Sequence, residues 1–493
     1  MSRPRFLTMI LAGAALFAAP ALAAECDPLS ELELPDVTVT AVTEIEQPVP
    51  HCKLDGRIGH HIGFTVWLPH DWNGRFAMGG QGGFAGVIDN QAQTFGRVLQ
   101  QGYATAATDT GHQALVLDGS WALEDLEAIA NYGHVAVHRV AEVAKAILRA
   151  HYDQALETSY FLGCSNGGRQ ALMEAQRYPE DFDLILAGAP ALDFDGIGAT
   201  FLQVTHHMYP DMEDLGQPVL SKESRALLQK EILDHCDAKD GLTDELLADP
   251  SSCDFDPQSL ACSKGETGGC LEPDELAAIR AIYEGPRTRS GEPLHVGYPF
   301  GAEDVDANGW GSWLAGRENG AGPGVPSAAY AFGTGLARYF VYHDPEWSYE
   351  GYDFSRWPED SKLIQATLNA DDPDLDAFRE RGGKLLMFHG WSDSALSANM
   401  SIDYVSSVYE RDPSAKDDVR LFLMPGLLHC FGGNGPMVVD WLGTMEQWQE
   451  TGMPPSELEA GFVGGGGRKL CAWPKRAVYT EGDDRSPDSF ECR

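Results

Sequence analysis

The chain is short of positive charge. Lys and Arg together number 35 against 74 Asp and Glu, a formal net charge of −39. Such a surface repels nucleic-acid phosphates and anionic membranes, so neither is expected as a partner. Cys-x-x-Cys spacing is absent, which argues against thiolate metal sites. Beyond the N-terminal segment no apolar run is long enough to cross a bilayer. There is no internal repeat, and the glycine run Gly464 to Gly467 reads as a loop.

What is present begins with a processing signal. Arg3 and Arg5 precede an apolar stretch from Phe6 to Phe17, and Ala21-Leu22-Ala23 forms a small-x-small cleavage site, with Ala24 as a near-equal alternative. Residues 1–23 are therefore expected to be a signal peptide. Loss of its two arginines takes −39 to about −41. Glu25 before Cys26 fits lipid attachment poorly. All ten cysteines lie after the signal. An even number in an exported protein favours disulfides. A secreted or periplasmic location is expected.

Strand and helix patterns alternate up to residue 190. Strand signals fall at Val37 to Val42 (an early edge hairpin), Ile62 to Leu68, near Phe76, Tyr103 to Thr108, Thr158 to Leu162 and Leu184 to Gly188. Helical patterns cover 123 to 149 and Gly168 to Tyr178. This alternation predicts a mostly parallel central sheet covered on both faces. From Ala191 the chain turns rich in Gly, Pro, Asp, Trp and Cys, with helices near 221–236 and 273–284. Sheet periodicity resumes at Lys384. The expected layout is a catalytic domain of residues 24–190 and 361–493, with a lid domain inserted at 191–360.

Chemistry-bearing residues sit at the strand ends. Gly163-Cys164-Ser165-Asn166-Gly167 places Ser165 between an apolar strand and a helix, the context of a G-x-S-x-G nucleophile elbow. Asp393 and His429 each end a later apolar run. Acyl transfer needs a nucleophile, a base and a group that orients the base, and the order Ser, Asp, His is that of an α/β-hydrolase fold. Ser165, His429 and Asp393 fill these roles in turn. The oxyanion would be met by the Asn166 amide and by Gly82 or Gly83 of the loop Gly79-Gly80-Gln81-Gly82-Gly83. That loop lacks the Lys-Ser/Thr ending of a phosphate-binding loop.

Bland readings apply to the neighbours. Asp403 is a rival to Asp393 but falls in a helical pattern. His389 reads as supporting the same strand end. Asp109 and His112 would line the pocket or brace a loop. His134 and His138 lack the acidic residue between them that a zinc helix needs.

Cys164 beside Ser165 and Cys430 beside His429, together with the Gly-Gly-x-Gly-Gly loop, resemble the tannase and feruloyl esterase family, which includes mono(2-hydroxyethyl) terephthalate hydrolases. The resemblance spans nearly the whole mature chain. It implies a Cys164–Cys430 bridge, and four further pairings: Cys26–Cys52, Cys236–Cys253, Cys262–Cys270 and Cys471–Cys492. It also implies a structural Ca²⁺ in the lid, held by Asp237, Asp240 and Asp244 carboxylates and by the Leu242 and Leu246 carbonyls. No organic cofactor is implied.

The implied substrate is a small ester of an aromatic acid: a gallate, a hydroxycinnamate such as ferulate, or a terephthalate monoester. Trp310, Trp313, Tyr330 and Phe332 are candidates for the pocket wall, each equally able to serve as lid core. Arg317 and Arg338 are lid cations that could meet a distal carboxylate. A serine peptidase or amidase would use the same triad. A non-catalytic binding protein of this fold would be expected to have lost part of it, and no member is missing here.

Overall fold

A computed structural model describes residues 26–265, 268–316 and 324–493. The expected signal peptide (residues 1–23), the expected domain start at residue 24 and Arg317 lie outside the described residues.

Nine strands form one sheet: β1 (Val37–Ile45), β2 (His51–Ile58), β3 (Ile62–Pro69), β4 (Arg75–Gly79), β5 (Ala104–Thr108), β6 (Thr158–Cys164), β7 (Leu184–Gly188), β8 (Lys384–Gly390) and β9 (Val419–Met424). Their spatial order is β1-β2-β3-β5-β4-β6-β7-β8-β9. The first three pairings are antiparallel, and the five from β5 to β9 are parallel.

Burial explains this division. Every residue of β6 and β7 is buried, Thr158 and Ser159 at the start of β6 included, as strands covered on both faces require. In β1, partly buried residues are interspersed with exposed ones, as befits an edge. Alternation along β6 splits the core in two: Phe161 packs with Val140, Ile147 and Leu172 on one face, while Tyr160 and Leu162 pack with Leu442, Met445 and Trp448 on the other. Helix α1 (Ala136–His151) covers β5 and β3, and α2 (Asn166–Arg177) covers β6 and β7.

The long excursion between β7 and β8 contributes no strand to the sheet among the described residues. It carries α3 (Phe194–Met208), α4 (Lys222–Cys236), α5 (Pro273–Glu284) and α6 (Ala328–Gly335). The sequence patterns gave α4 and α5 only. Glycines at 196, 198, 333 and 335 depress the helical signal of α3 and α6. Their role is close approach: a Cβ on Gly198 would sit 2.4 Å from Leu336 Cδ2, and one on Gly333 3.1 Å from the Leu202 nitrogen.

Five disulfides are present: Cys26–Cys52, Cys164–Cys430, Cys236–Cys253, Cys262–Cys270 and Cys471–Cys492. Among the described residues no helix is long and apolar enough to cross a membrane.

Candidate active site

Three parallel strands deliver three side chains to one edge. Ser165 follows β6, Asp393 follows β8 and His429 follows β9, all at carboxyl ends, where open parallel sheets bind ligands. Ser165 adopts φ +65°, ψ −128°, a strained turn between strand and helix. Its amide donates to the Gly188 carbonyl at 3.0 Å, and its carbonyl accepts from Arg169 and Ala191 at 3.0 and 3.1 Å. The elbow closes only without side chains at its corners. A Cβ on Gly163 would lie 2.2 Å from the Gly167 oxygen, and one on Gly168 2.4 Å from the Gly188 oxygen.

His429 Nδ1 donates to Asp393 Oδ2 at 2.8 Å. Asp393 Oδ1 accepts the Ala395 and Leu396 amides at 2.8 and 2.9 Å. His389 Nε2 approaches Asp393 Oδ2 at 3.3 Å and the Leu396 carbonyl at 3.0 Å. Burial opposes ionisation of Asp393, but the charge and hydrogen bonds of His429 and His389 outweigh it and hold the carboxyl well below its ordinary range. His389, fully buried, supports the carboxylate from behind.

Ser165 and His429 line one cavity with Gly83, Phe84, Asn166, Phe194, Ile197, Phe201, Trp313, Phe332, Leu336 and Leu396. Its wall is apolar apart from those polar groups. Asn166 opens α2, so its amide is one of the first-turn donors with no intrahelical acceptor. In the glycine loop, the amides of Gly80, Gln81, Phe84 and Ala85 are bonded to Leu162, Gln170, Val116 and Gly82 respectively. The Gly82 and Gly83 amides have no acceptor among the described residues. Of the two glycines only Gly83 lines the cavity; a hydroxyl, an imidazole backed by a carboxylate, and the spare amides of Asn166 and Gly83 around one cavity are the parts acyl transfer needs.

Of the four pocket candidates, the structure brings Trp313 and Phe332 to the cavity, stacked with ring centroids 6.0 Å apart. Trp313 also meets the His429 ring edge-on at 5.1 Å. Trp310 and Tyr330 do not line it. Trp310 is fully buried and packs on Tyr283 at 5.4 Å, because the wide turn Gly311–Ala315 sends it into the core three residues before Trp313. Tyr330 is half-buried elsewhere on α6. Arg338 donates to the Trp347 carbonyl instead of reaching the cavity. No Lys or Arg lines it among the described residues.

The remaining candidates have structural partners. Asp109 accepts the Gly63 and Gly111 amides at 2.9 and 2.8 Å, and burial pushes its carboxyl up to about 6. His112 donates to the Phe84 carbonyl at 2.8 Å, stacks on Trp121 and is pushed down to about 4 by burial. His134 meets the Tyr178 hydroxyl and His138 meets Asp181. Asp403 lies on helix α7 (Ala398–Arg411), away from the cavity.

Sequence reasoning missed Phe194, Ile197 and Phe201, although their i, i+3, i+7 spacing marks one face of α3. It also missed Asn308. That residue accepts from Trp313 Nε1 at 2.9 Å and donates to the His429 carbonyl at 3.0 Å, joining the excursion between β7 and β8 to the histidine loop. No local signal in the sequence marks it.

The acidic loop 237–246 has Asp237 buried with only backbone donors, the Glu245 amide at 3.0 Å among them. Burial raises Asp240, the Leu242 and Ala248 amides oppose this, and Asp244 and Asp237 push it further up. Asp244 turns to Arg468, and the three carboxylates do not gather within 4.8 Å of one another. The donor set is hard oxygen with one counter-cation for three acids, which suits a cation such as Ca²⁺.

A family model described as "Tannase and feruloyl esterase" matches residues 47–493. Mono(2-hydroxyethyl) terephthalate hydrolase of Piscinibacter sakaiensis is 30% identical over 90% of this chain and 84% of its own. A protein named "Probable feruloyl esterase" from Arthroderma benhamiae is 33% identical over 87% of this chain and 82% of its own. The crystal structure of an esterase from Aspergillus oryzae superposes with a TM-score of 0.83 at 25% identity, covering 95% of this chain and 99% of that one.

Proposed function

The chain belongs to the tannase and feruloyl esterase family, and from that premise we propose that it is a serine hydrolase of aromatic-acid esters, working through an acyl-enzyme. Ser165 attacks the ester carbonyl. His429 takes its proton and returns it to the leaving alcohol. Asp393 fixes the His429 tautomer and stabilises the imidazolium. The Asn166 amide and that of Gly82 or Gly83 receive the oxyanion. The observation that carries this reading is the convergence of a strained Ser165 and an Asp393-backed His429 on one apolar cavity.

The cavity favours a largely apolar acyl group. Gallate would need polar partners for several hydroxyls, and a terephthalate monoester a cation for its far carboxylate. Phe194, Phe201, Trp313 and Phe332 instead offer aromatic and apolar walls, so a hydroxycinnamate is the preferred acyl group.

The test is a panel of methyl ferulate, methyl caffeate, methyl gallate, mono(2-hydroxyethyl) terephthalate, p-nitrophenyl acetate and a ferulic amide, run beside Ser165→Ala. Ser165-dependent turnover, fastest on ferulate or caffeate, is expected. Faster turnover of the amide would favour a peptidase. Absence of turnover by folded protein would sink the enzymatic reading.

Five disulfides and the N-terminal signal pattern support export. A Ca²⁺ held by Asp237, Asp240, Asp244, Leu242 and Leu246 would order the lid and take no part in ester chemistry. Chelation should lower Tm in the native protein but not in Asp237→Asn; an equal response in both would remove the site from this loop.

A further inference from the structure

Arg169 lies one helical turn beyond Ser165 on α2, and its side chain is fully buried. Buried charges are ordinarily paired with an opposite charge. Here every partner is neutral. Nη1 donates to the Gly133 and Leu368 carbonyls at 2.7 and 3.3 Å, and Nη2 to the Tyr132 carbonyl at 2.9 Å. Nε donates to Asn166 Oδ1 at 2.8 Å. The Tyr132 and Phe194 rings face the guanidinium at 4.8 and 5.4 Å. Among the described residues no carboxylate offsets the charge. Burial draws the guanidinium below its ordinary pKa, opposed by Tyr132, yet an arginine stays protonated in a protein.

The Asn166 side chain passes this contact onward. Its Nδ2 donates to the Gln81 carbonyl at 3.0 Å. Gln81 is the residue before Gly82. Its own amide is held by Gln170 Oε1 at 3.1 Å, and its side chain spans the Gly79 and Asp89 carbonyls at 3.1 Å each. The two segments also touch directly: a Cβ on Gly80 would lie 2.6 Å from Gly167 Cα. A continuous chain of hydrogen bonds thus runs from Arg169 through Asn166 to the loop bearing Gly82 and Gly83.

We propose that Arg169 is a positioning residue for the oxyanion hole. Through Asn166 it fixes the spacing between the elbow amide and the glycine-loop amides. It also places an uncompensated positive charge behind the point where negative charge develops. Donors held in place before reaction need no reorganisation during it, so the benefit appears in the transition state and not in substrate binding. The inference rests on the reading of Ser165 as nucleophile.

The experiment compares wild type, Ser165→Ala, Arg169→Met, Arg169→Lys and Asn166→Ala on p-nitrophenyl acetate, an activated ester that does not depend on the acyl-group preference. Arg169→Met should lower kcat roughly 30- to 100-fold, at or below the lower end of the roughly 10²- to 10³-fold loss for removing an oxyanion donor itself. Its KM should stay within about 3-fold, as expected for an interaction made only in the transition state. Arg169→Lys should recover most of the rate. Asn166→Ala keeps the buried guanidinium and breaks the relay; it should lower kcat roughly 10-fold alone and by less in the Arg169→Met background. Affinity for an aryl trifluoromethyl ketone, which adds to the serine as an oxyanion, should fall in step with kcat/KM. Affinity for the free aromatic acid should not change. Equal weakening of ketone and acid, or a lowered Tm with kcat intact, would overturn the proposal and leave Arg169 a packing residue. Wild-type activity that survives Ser165→Ala would instead overturn the nucleophile assignment, and this inference with it.

Discussion

Asp393→Asn should disable the enzyme by reversing a single proton. The carboxylate is fully buried and divides its work between two oxygens. Oδ1 takes the Ala395 and Leu396 amides at 2.8 and 2.9 Å; Oδ2 faces His429 Nδ1 at 2.8 Å and His389 Nε2 at 3.3 Å. Asparagine has one oxygen. Two backbone amides cannot turn away, so that oxygen occupies the Oδ1 position and the NH₂ group faces His429. Nδ1 must then become the acceptor, which moves the imidazole proton to Nε2. A protonated Nε2 cannot accept the Ser165 proton. Where a triad aspartate has been replaced this way, kcat fell about 10⁴-fold, a barrier rise of about 5.5 kcal/mol. A loss of that order is expected here, with KM little changed. The assay is kcat on p-nitrophenyl acetate at pH 7 to 8, with Tm and labelling by a serine-directed phosphonate as controls. A folded Asp393→Asn protein retaining kcat within about 10-fold of wild type would refute the assignment of the proton-orienting group, whatever the substrate.

Three further outcomes are expected. Replacing both Cys164 and Cys430 by Ser releases a bridge between residues 266 apart; the chain-entropy picture puts the loss at about 5.6 kcal/mol, and kcat should fall as Ser165 and His429 drift, so unchanged thermal unfolding and kcat would deny the bridge both roles. Asp109 has its folded pKa raised by burial to about 6 from 3.8, so its favourable protonated state is complete below pH 4 and lost as pH rises through 6. Asp109→Asn should therefore gain on wild type between pH 4 and 7, by up to ~3 kcal/mol from 1.36 kcal/mol per unit; a stability difference independent of pH in chemical denaturation would contradict this. Trp313→Ala should raise KM for methyl ferulate at least about 10-fold with modest loss of Tm, whereas Trp310→Ala should cost roughly 3–5 kcal/mol of stability as a core truncation. The reverse pattern would mean the cavity wall has been misplaced.

Legibility followed the range of the interactions involved. The elbow could be read locally because Gly163 and Gly168 are needed by atoms within a few residues or on and just after the adjoining strand. The alternation of strand and helix patterns around apolar stretches such as Tyr160 to Leu162 and Leu184 to Gly188 announced a covered parallel sheet. The order β3-β5-β4-β6 could not be read, because it depends on where the chain returns after β4 and not on the pattern within any strand. Helix α3 was hidden by Gly196 and Gly198, whose value appears only once His295 closes on the first and Leu336 on the second. Trp310 and Trp313 carry the same side chain three residues apart, and only the wide turn between core and cavity separates their fates. Asn308 and Arg169 act across 121 residues to His429 and 36 to Gly133, distances over which a single sequence carries no pattern.

The pairing of the cysteines bears on how the protein can be made. Four bridges join cysteines that are neighbours in the chain; the bridge Cys164–Cys430 spans all four cysteines of the excursion. On the export proposed above, Cys164 would wait unpaired in an oxidising compartment while Cys236, Cys253, Cys262 and Cys270 arrive before its partner. An oxidant that joined sulphurs in order of appearance would make Cys164–Cys236, Cys253–Cys262 and Cys270–Cys430, three bonds the native fold does not contain. Reshuffling is the remedy for such errors and is slow without catalysis. The yield of active protein in a foreign host should accordingly track the supply of disulfide isomerase rather than the strength of the oxidant.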